Sequence, residues 1–241
     1  MIPALAAISH GTSSPQGQAA VAALVEAVAG QRPGLSVRGG FVDVQRPDVA
    51  ETLARFASGE QVVVVPLLLS AGYHVNVDLV RELDAAATAT VLADALGPDR
   101  RIAGVLSDRL AGAGLRRPDR VVLACAGSTD AAAVDDCFEA ARMLSAELGM
   151  PVRAGFISAA RPTLAEAIAM ERAVAPGSRV VVSSYLLAPG HFADLAAAAP
   201  ADVVTGPLLL AGEHPPAALV RVVLDRHAAA AALLERVLVA R

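Results

Sequence analysis

The chain has 241 residues, 55% of them hydrophobic but only 3% aromatic, with no Trp. That length suits two compact domains of about 120 residues each, with cores built from Ala, Val and Leu. A formal net charge of −4 and the scarcity of stacking aromatics argue against nucleic acid and against an anionic membrane as partners.

Residues 3–9 form an apolar strand that leads straight into His10-Gly11-Thr12-Ser13-Ser14. The preceding start, Met1-Ile2-Pro3, lacks the basic region of a signal peptide. No apolar run reaches the roughly 18 residues of a membrane span. A helix is expected over 15–30, ended by Gly30 and followed by Pro33, then a strand over 35–42 with Asp43 at its end. Arg46-Pro47-Asp48 opens a helix to about Phe56, with Pro near the first helical position. Val62-Val63-Val64-Val65-Pro66 reads as a buried strand, and Ser70-Ala71-Gly72-Tyr73-His74 follows it. A helix over 77–87, a short strand at Thr90-Val91-Leu92 and a closing helix over 100–113 complete the first half.

The second half repeats the order. Strands are expected at 120–126, 151–157, 178–184 and 202–205, and helices at 130–148, 162–174, 191–198 and 216–239. Gly40-Phe41-Val42-Asp43-Val44-Gln45-Arg46-Pro47 matches Gly155-Phe156-Ile157-Ser158-Ala159-Ala160-Arg161-Pro162 at four of eight positions. Ala7-Ile8-Ser9-His10-Gly11-Thr12 aligns with Leu123-Ala124-Cys125-Ala126-Gly127-Ser128, and the stretch ending at His74 aligns with the one ending at His191. The three offsets are 115, 116 and 117 residues, far too long for a solenoid and nearly constant, as in a duplicated domain. Two α/β domains follow, residues 1–115 and 116–241, each with a parallel, flavodoxin-like sheet covered by helices on both faces. Cys125 and Cys137 fall in different predicted elements and outside any CxxC pattern, as free thiols do in a reducing compartment. A cytoplasmic monomer is expected.

Ligands of open α/β sheets bind beyond the carboxyl ends of the strands, and every unusual motif here sits at such an end. In a 2-1-3-4 strand order, strands one and three are neighbours about 4.8 Å apart, which brings His10 and His74 to one edge. Two neutral imidazoles suit Fe²⁺, Co²⁺, Ni²⁺ or Zn²⁺, and an imidazole also accepts a proton near neutral pH. The alternative is that each is a structural loop histidine. Gly11, Thr12 and Ser13 form a hydroxyl-rich turn whose amides offer an anion cradle, or ordinary helix capping by Ser13 or Ser14. Asp43 and Asp78 are candidates to orient an imidazole, or are solvated residues. His191 aligns with His74, but Ala126 stands where the first half has His10, so the second half lacks the pair. His214 and His227 read as structural.

Ile8-Ser9-His10-Gly11-Thr12, Gly40-Phe41-Val42-Asp43 and Val65-Pro66-Leu67-Leu68-Leu69-Ser70-Ala71-Gly72-Tyr73-His74-Val75 resemble the class II chelatases of the sirohydrochlorin branch. The resemblance covers nearly the whole chain, in the manner of the long, two-domain members. It implies two similar lobes around a cleft that takes a sirohydrochlorin-type tetrapyrrole, with His10 and His74 binding the metal and helping to remove protons. It implies no organic cofactor, only a divalent metal as substrate: Fe²⁺ or Co²⁺, with Ni²⁺ less favoured. Members often carry Arg just after the His-Gly turn, where this chain has Ser13-Ser14. Recognition of substrate carboxylates then falls to other groups: Arg46, Arg81, Arg161, His191, or the turns at Gly11–Ser13 and Ser70–Tyr73. A histidine phosphatase is disfavoured because Ser9 stands where its phosphate-binding Arg belongs, and the acidic pattern of a protoporphyrin ferrochelatase is not evident. A non-catalytic tetrapyrrole carrier or metal chaperone remains as the second reading.

Overall fold

The computed structural model describes residues 2–70, 79, 80, 82, 83 and 89–239, with side chains described as far as 234. The fold is α/β, built on two separate four-stranded parallel sheets with flanking helices. The first holds β1 (Ala4–Ser9), β2 (Val37–Phe41), β3 (Val62–Pro66) and β4 (Thr90–Leu92) in the order β2-β1-β3-β4. The second holds β5 (Arg120–Cys125), β6 (Val152–Phe156), β7 (Val180–Tyr185) and β8 (Val203–Val204) in the order β6-β5-β7-β8. The strand order matches the expectation in both halves. Central strands β1 and β3 are buried at every position, which is why they read as unbroken apolar runs. The edge strands β2 and β4 are only partly covered. Ala6 pairs with Arg38 in the first sheet as Val122 pairs with Arg153 in the second, so the two sheets share one register.

Helix α1 (Pro15–Gln31) is capped by Ser14, whose Oγ accepts from the Gly17 amide at 3.3 Å, with Pro15 at the first helical position. It runs one residue past Gly30. What stops it is Pro33, which forces Arg32 out of helical geometry (φ −128°, ψ 75°). Helix α2 (Val49–Leu53) is shorter than expected, and its N-cap is Asp48 with Pro47 outside. Beyond Leu53 the chain tightens into three-residue steps, Arg55 N to Thr52 O and Phe56 N to Leu53 O, which end the α-helix. Reciprocal capping boxes start α2 (Asp48 and Glu51) and its counterpart in the second half, the helix Leu164–Val174 (Thr163 and Glu166). Of the helix expected over 77–87, residues 79, 80, 82 and 83 are described and helical, with Leu79 and Leu83 buried against β1 and β3. The remaining helices are α3 (Arg100–Gly112), α4 (Ala131–Leu148), α5 (Leu164–Val174), α6 (His191–Ala197) and α7 (Ala217–Val239).

Helices α3 and α7 cross over. In sequence α3 closes the first half, but it packs on α4 and β7 of the second; α7 packs on β3, β4 and α1 of the first. One continuous apolar cluster therefore draws on both halves, from Leu5, Leu24 and Val63 to Leu123, Leu144 and Val223. Polar contacts pin the exchange. Arg226 Nε donates to Ala95 O at 2.7 Å, Arg109 Nη2 donates to Leu208 O at 3.2 Å, and Arg101 pairs with Asp225. His227, 2% exposed, hydrogen-bonds through Nε2 to Pro3 O at 2.9 Å, a structural role as expected. Burial pushes its pKa down, outweighing the upward pull of that hydrogen bond. No helix among the described residues is long and apolar enough to cross a membrane.

Candidate functional site

A cleft of about 510 Å³ lies between the carboxyl ends of the two sheets. His10 and Ser70 line it from the first half, Ala126 and His191 from the second. His10 is exposed at the turn after β1, and the surrounding backbone is closely built. The Asp43 amide donates to His10 O at 3.1 Å, and the Val42 amide to Ser9 O at 2.9 Å. Gly11 has φ +96°, and a Cβ there would lie 2.2 Å from Asp43 O, so no other residue fits without moving the turn. Beyond Asp43 the chain makes a three-residue turn, Gln45 N to Asp43 O at 2.7 Å, with Val44 at its centre at φ 65°. For a β-branched residue that backbone is strained. Strain of this kind recurs where a site holds its shape against local preference.

The same architecture recurs in the second half. Ser158 N donates to Ala126 O at 3.0 Å, Ala160 N bonds Ser158 O at 2.7 Å, and Ala159 sits at φ 56°. Gly127 has φ +94°, with Ser158 O 1.8 Å from where its Cβ would be. The backbone that carries His10 is thus reproduced around Ala126, and the imidazole is what differs.

The amides of the 11–17 turn are largely occupied by protein. Thr12 N donates to Gln45 Oε1 at 2.9 Å, Ser14 N to Thr12 Oγ1 at 3.1 Å, and Gln18 Nε2 to Thr12 O at 2.8 Å. Acceptors on Gln45 and Thr12 take these donors, and Ser14 Oγ takes Gly17 N, in place of an open anion cradle. Ser13 stays exposed on the cleft wall. The halves touch at this point: a Cβ on Gly17 would lie 2.1 Å from Pro189 O, and one on Gly190 2.9 Å from Thr12 Oγ1. His191 starts α6 directly after Gly190 and meets the Phe192 ring edge-on, with centroids 5.8 Å apart. The structure therefore brings His10 and His191 to the walls of one cleft.

Asp43 is exposed, and its Oδ1 accepts from Val44 N at 2.7 Å. Arg46 is held by Asp48 and Glu51, Arg161 by Glu166, and neither lines the cleft. Ala71, Gly72, Tyr73, His74, Asp78 and Arg81 lie outside the described residues. Among the described residues, no group of three or more His, Cys, Asp or Glu side chains gathers in a metal-holding arrangement.

Several cleft residues carry no motif in the sequence. Gln45 braces the His10 turn. Tyr185, buried at the end of β7, donates from its hydroxyl to Leu69 O at 2.9 Å and so ties the two sheets' ends together. Burial holds its pKa well above the usual phenol range. Cys137 lines the cleft and Cys125 lies behind it, its pKa raised by burial. Ser9, 4% exposed on the cleft wall, has no hydrogen-bond partner for Oγ among the described residues.

The CbiX family model matches residues 4–113 and, a second time, residues 120–238. The sirohydrochlorin cobaltochelatase of Sulfurisphaera tokodaii is 32% identical over 74 residues, 30% of this chain and 62% of that protein. The match thus spans under two thirds of that relative's length. The sirohydrochlorin cobaltochelatase of Methanosarcina barkeri is 25% identical over 118 residues, 43% of this chain and 91% of that protein. Among solved structures, SirB from Bacillus subtilis with Fe³⁺ superposes with a TM-score of 0.77 at 23% identity, covering 98% of both chains. CbiX, described as the terminal enzyme for biosynthesis of siroheme in denitrifying bacteria, gives a TM-score of 0.64 at 19% identity, covering 94% of this chain and 99% of that one. At these identities the structural likeness speaks for the fold.

Proposed function

Because the chain belongs to the CbiX family, matched over both of its halves, we propose that it inserts a divalent metal ion into a sirohydrochlorin-type tetrapyrrole bound in the cleft. Fe²⁺ and Co²⁺ are the favoured metals, ahead of Ni²⁺. The chain divides near residue 115 into a working half and a second half that completes the cleft. The observation that carries this reading is the cleft itself: about 510 Å³ at the carboxyl ends of both sheets, walled by aliphatic residues, with His10 on one side and Ala126 at the matching place opposite. Its size is that of a small-molecule site. Its aliphatic walls suit the faces of a flat macrocycle, and hydroxyls of Thr12, Ser13 and Ser128 suit a carboxylate-bearing periphery.

The chemistry asks two things of the protein. The metal must shed water and reach the ring, and two pyrrole N–H protons must leave as the metal–nitrogen bonds form. His10 and His74 divide that work: a neutral imidazole coordinates the incoming metal, and an imidazole free of metal takes a ring proton and passes it to solvent. The fixed turn around His10 supports this role, since a positioned base acts only if its geometry is held. The buried, unbridged thiols Cys125 and Cys137 suit a reducing cytoplasm.

The test is turnover. Sirohydrochlorin in large excess over protein is mixed with Fe²⁺, Co²⁺ or Ni²⁺ in turn, and insertion is followed by absorbance. Many turnovers per protein molecule are expected with at least one metal. Conversion that stops at one equivalent identifies a carrier and overturns the catalytic reading.

A further inference from the structure

At the opposite, amino end of the second sheet lies a second hollow, of about 420 Å³. It wraps the free edge of β6, between α4 on one face and α5 on the other, and is lined by Arg120, Arg142, Arg153, Glu171 and Phe138. At its base is a buried carboxylate shared by two guanidiniums. Glu171, on α5, is 2% exposed. Arg120, the first residue of β5, donates from Nε at 2.7 Å and approaches with Nη2 at 2.6 Å, both to Oε2. Arg153, on β6, donates from Nε to Oε1 at 2.6 Å. One negative charge faces two positive ones, so the triad carries a net positive charge. Among the described residues Arg153 has no bonded acceptor other than Glu171, and its two terminal nitrogens stay available. Arg142, one helical turn from Phe138 on α4, adds a third, exposed guanidinium at the rim, paired among the described residues with half-buried Glu139. Phe138 leaves 39% of its surface exposed there.

The duplicated half shows that the fold does not need this cluster. Shared register places Ala4 where the second half has Arg120 and Arg38 where it has Arg153, and counting along the chain from the matched capping boxes aligns Phe56, just past the end of α2, with Glu171 on α5. Ala4 and Phe56 are both buried in one apolar cluster, so the first half buries apolar side chains at the end of its sheet where the second half has the Arg120–Glu171 pair. Burying charges costs desolvation that an apolar pair avoids, and such replacements are often as stable or more so. A charged triad that stability does not demand, orienting guanidiniums toward an open hollow beside an exposed ring, has the makings of a recognition site.

We propose that this hollow binds a small organic anion, with its phosphate or carboxylate group on Arg153 and Arg142 and its apolar body on Phe138. The site is separate from the cleft, since it opens at the other end of the strands.

The test is titration calorimetry of the full chain with phenyl phosphate, benzoate and inorganic phosphate, followed by Arg153→Gln, Arg142→Gln and Phe138→Ala. Saturable binding of phenyl phosphate or benzoate is expected, and the tighter of the two names the anionic group. Arg153→Gln should weaken it by about tenfold or more, the worth of one charge-assisted hydrogen bond. Phe138→Ala should remove the advantage of phenyl phosphate over inorganic phosphate. Arg142 is exposed, so Arg142→Gln keeps the fold and still tests the charge if Arg153→Gln unfolds. The proposal is overturned if neither organic probe saturates, if the Arg142 and Arg153 variants bind as wild type does, or if binding is lost with His10→Ala instead.

Discussion

Replacing Gly11 by Ala tests whether the turn that carries His10 is held as tightly as its geometry indicates. At φ +96° an L-residue pays about 1–2 kcal/mol for the backbone alone. The new Cβ would stand 2.2 Å from Asp43 O, a backbone atom that no rotamer change can move aside. Relief requires the His10 turn and the Asp43 loop to part by about 1 Å, given ordinary contact distances. That loosens the Asp43 N to His10 O bond and the Thr12 N to Gln45 Oε1 bond, at about 1 kcal/mol each. The total is about 3–4 kcal/mol of stability. Gly127→Ala is the matched control, with its Cβ 1.8 Å from Ser158 O in the same turn of the second half. Urea unfolding should show similar losses for the two. Insertion rates should separate them: a displacement of about 1 Å in a catalytic group can cost about 10²-fold, so Gly11→Ala should fall that far while Gly127→Ala stays within a few-fold of wild type. Equal losses of activity in both, or a Gly11→Ala protein as stable as wild type, refute the reasoning.

Two further outcomes are expected. His74→Ala should abolish most insertion while sirohydrochlorin binding, measured by fluorescence quenching, persists; His191→Ala should do much less, because Ala126 leaves that imidazole without a partner, and the reverse ranking would put the working site in the wrong half. For His227 the sign follows from burial: the folded pKa lies below the unfolded one, so between the two values the unfolded chain binds more protons. Stability is therefore complete above about pH 6.5 and falls as pH drops below it, by at most about 1.4 kcal/mol per pH unit. Denaturation midpoints between pH 5 and 7 should flatten in His227→Gln, and an unchanged slope assigns the pH dependence elsewhere.

The strand order and the repeat were legible because buried parallel strands are written as unbroken apolar runs and because the turn residues recur: Gly11 with Gly127, Val44 with Ala159, and Arg46-Pro47 with Arg161-Pro162. The exchange of α3 and α7 was not legible. An amphipathic helix declares which face it buries but not which sheet it buries it against, and Leu106 or Val223 fits either. The expected helix extends past the end of α2 because Phe56 continues an apolar pattern, whereas its backbone has already tightened into a turn. Within the site, His10 stood out because a histidine directly after an apolar strand is unusual. Gln45, Tyr185 and the Glu171 triad were invisible because their partners lie 33, 116 and as many as 51 residues away, and only the fold brings them together. The charge on Arg46 and Arg161 is plain in the sequence, but the carboxylates of the adjacent capping boxes, Asp48, Glu51 and Glu166, occupy it.

The most direct measurement is the multiple-turnover rate of metal insertion by His10→Ala, beside wild type, with sirohydrochlorin binding measured on the same samples. His10 is exposed at a loop, so its removal leaves no core cavity and the fold should persist. The account predicts a fall of about 10²-fold or more in insertion with tetrapyrrole binding retained. Insertion by His10→Ala at the wild-type rate would contradict it.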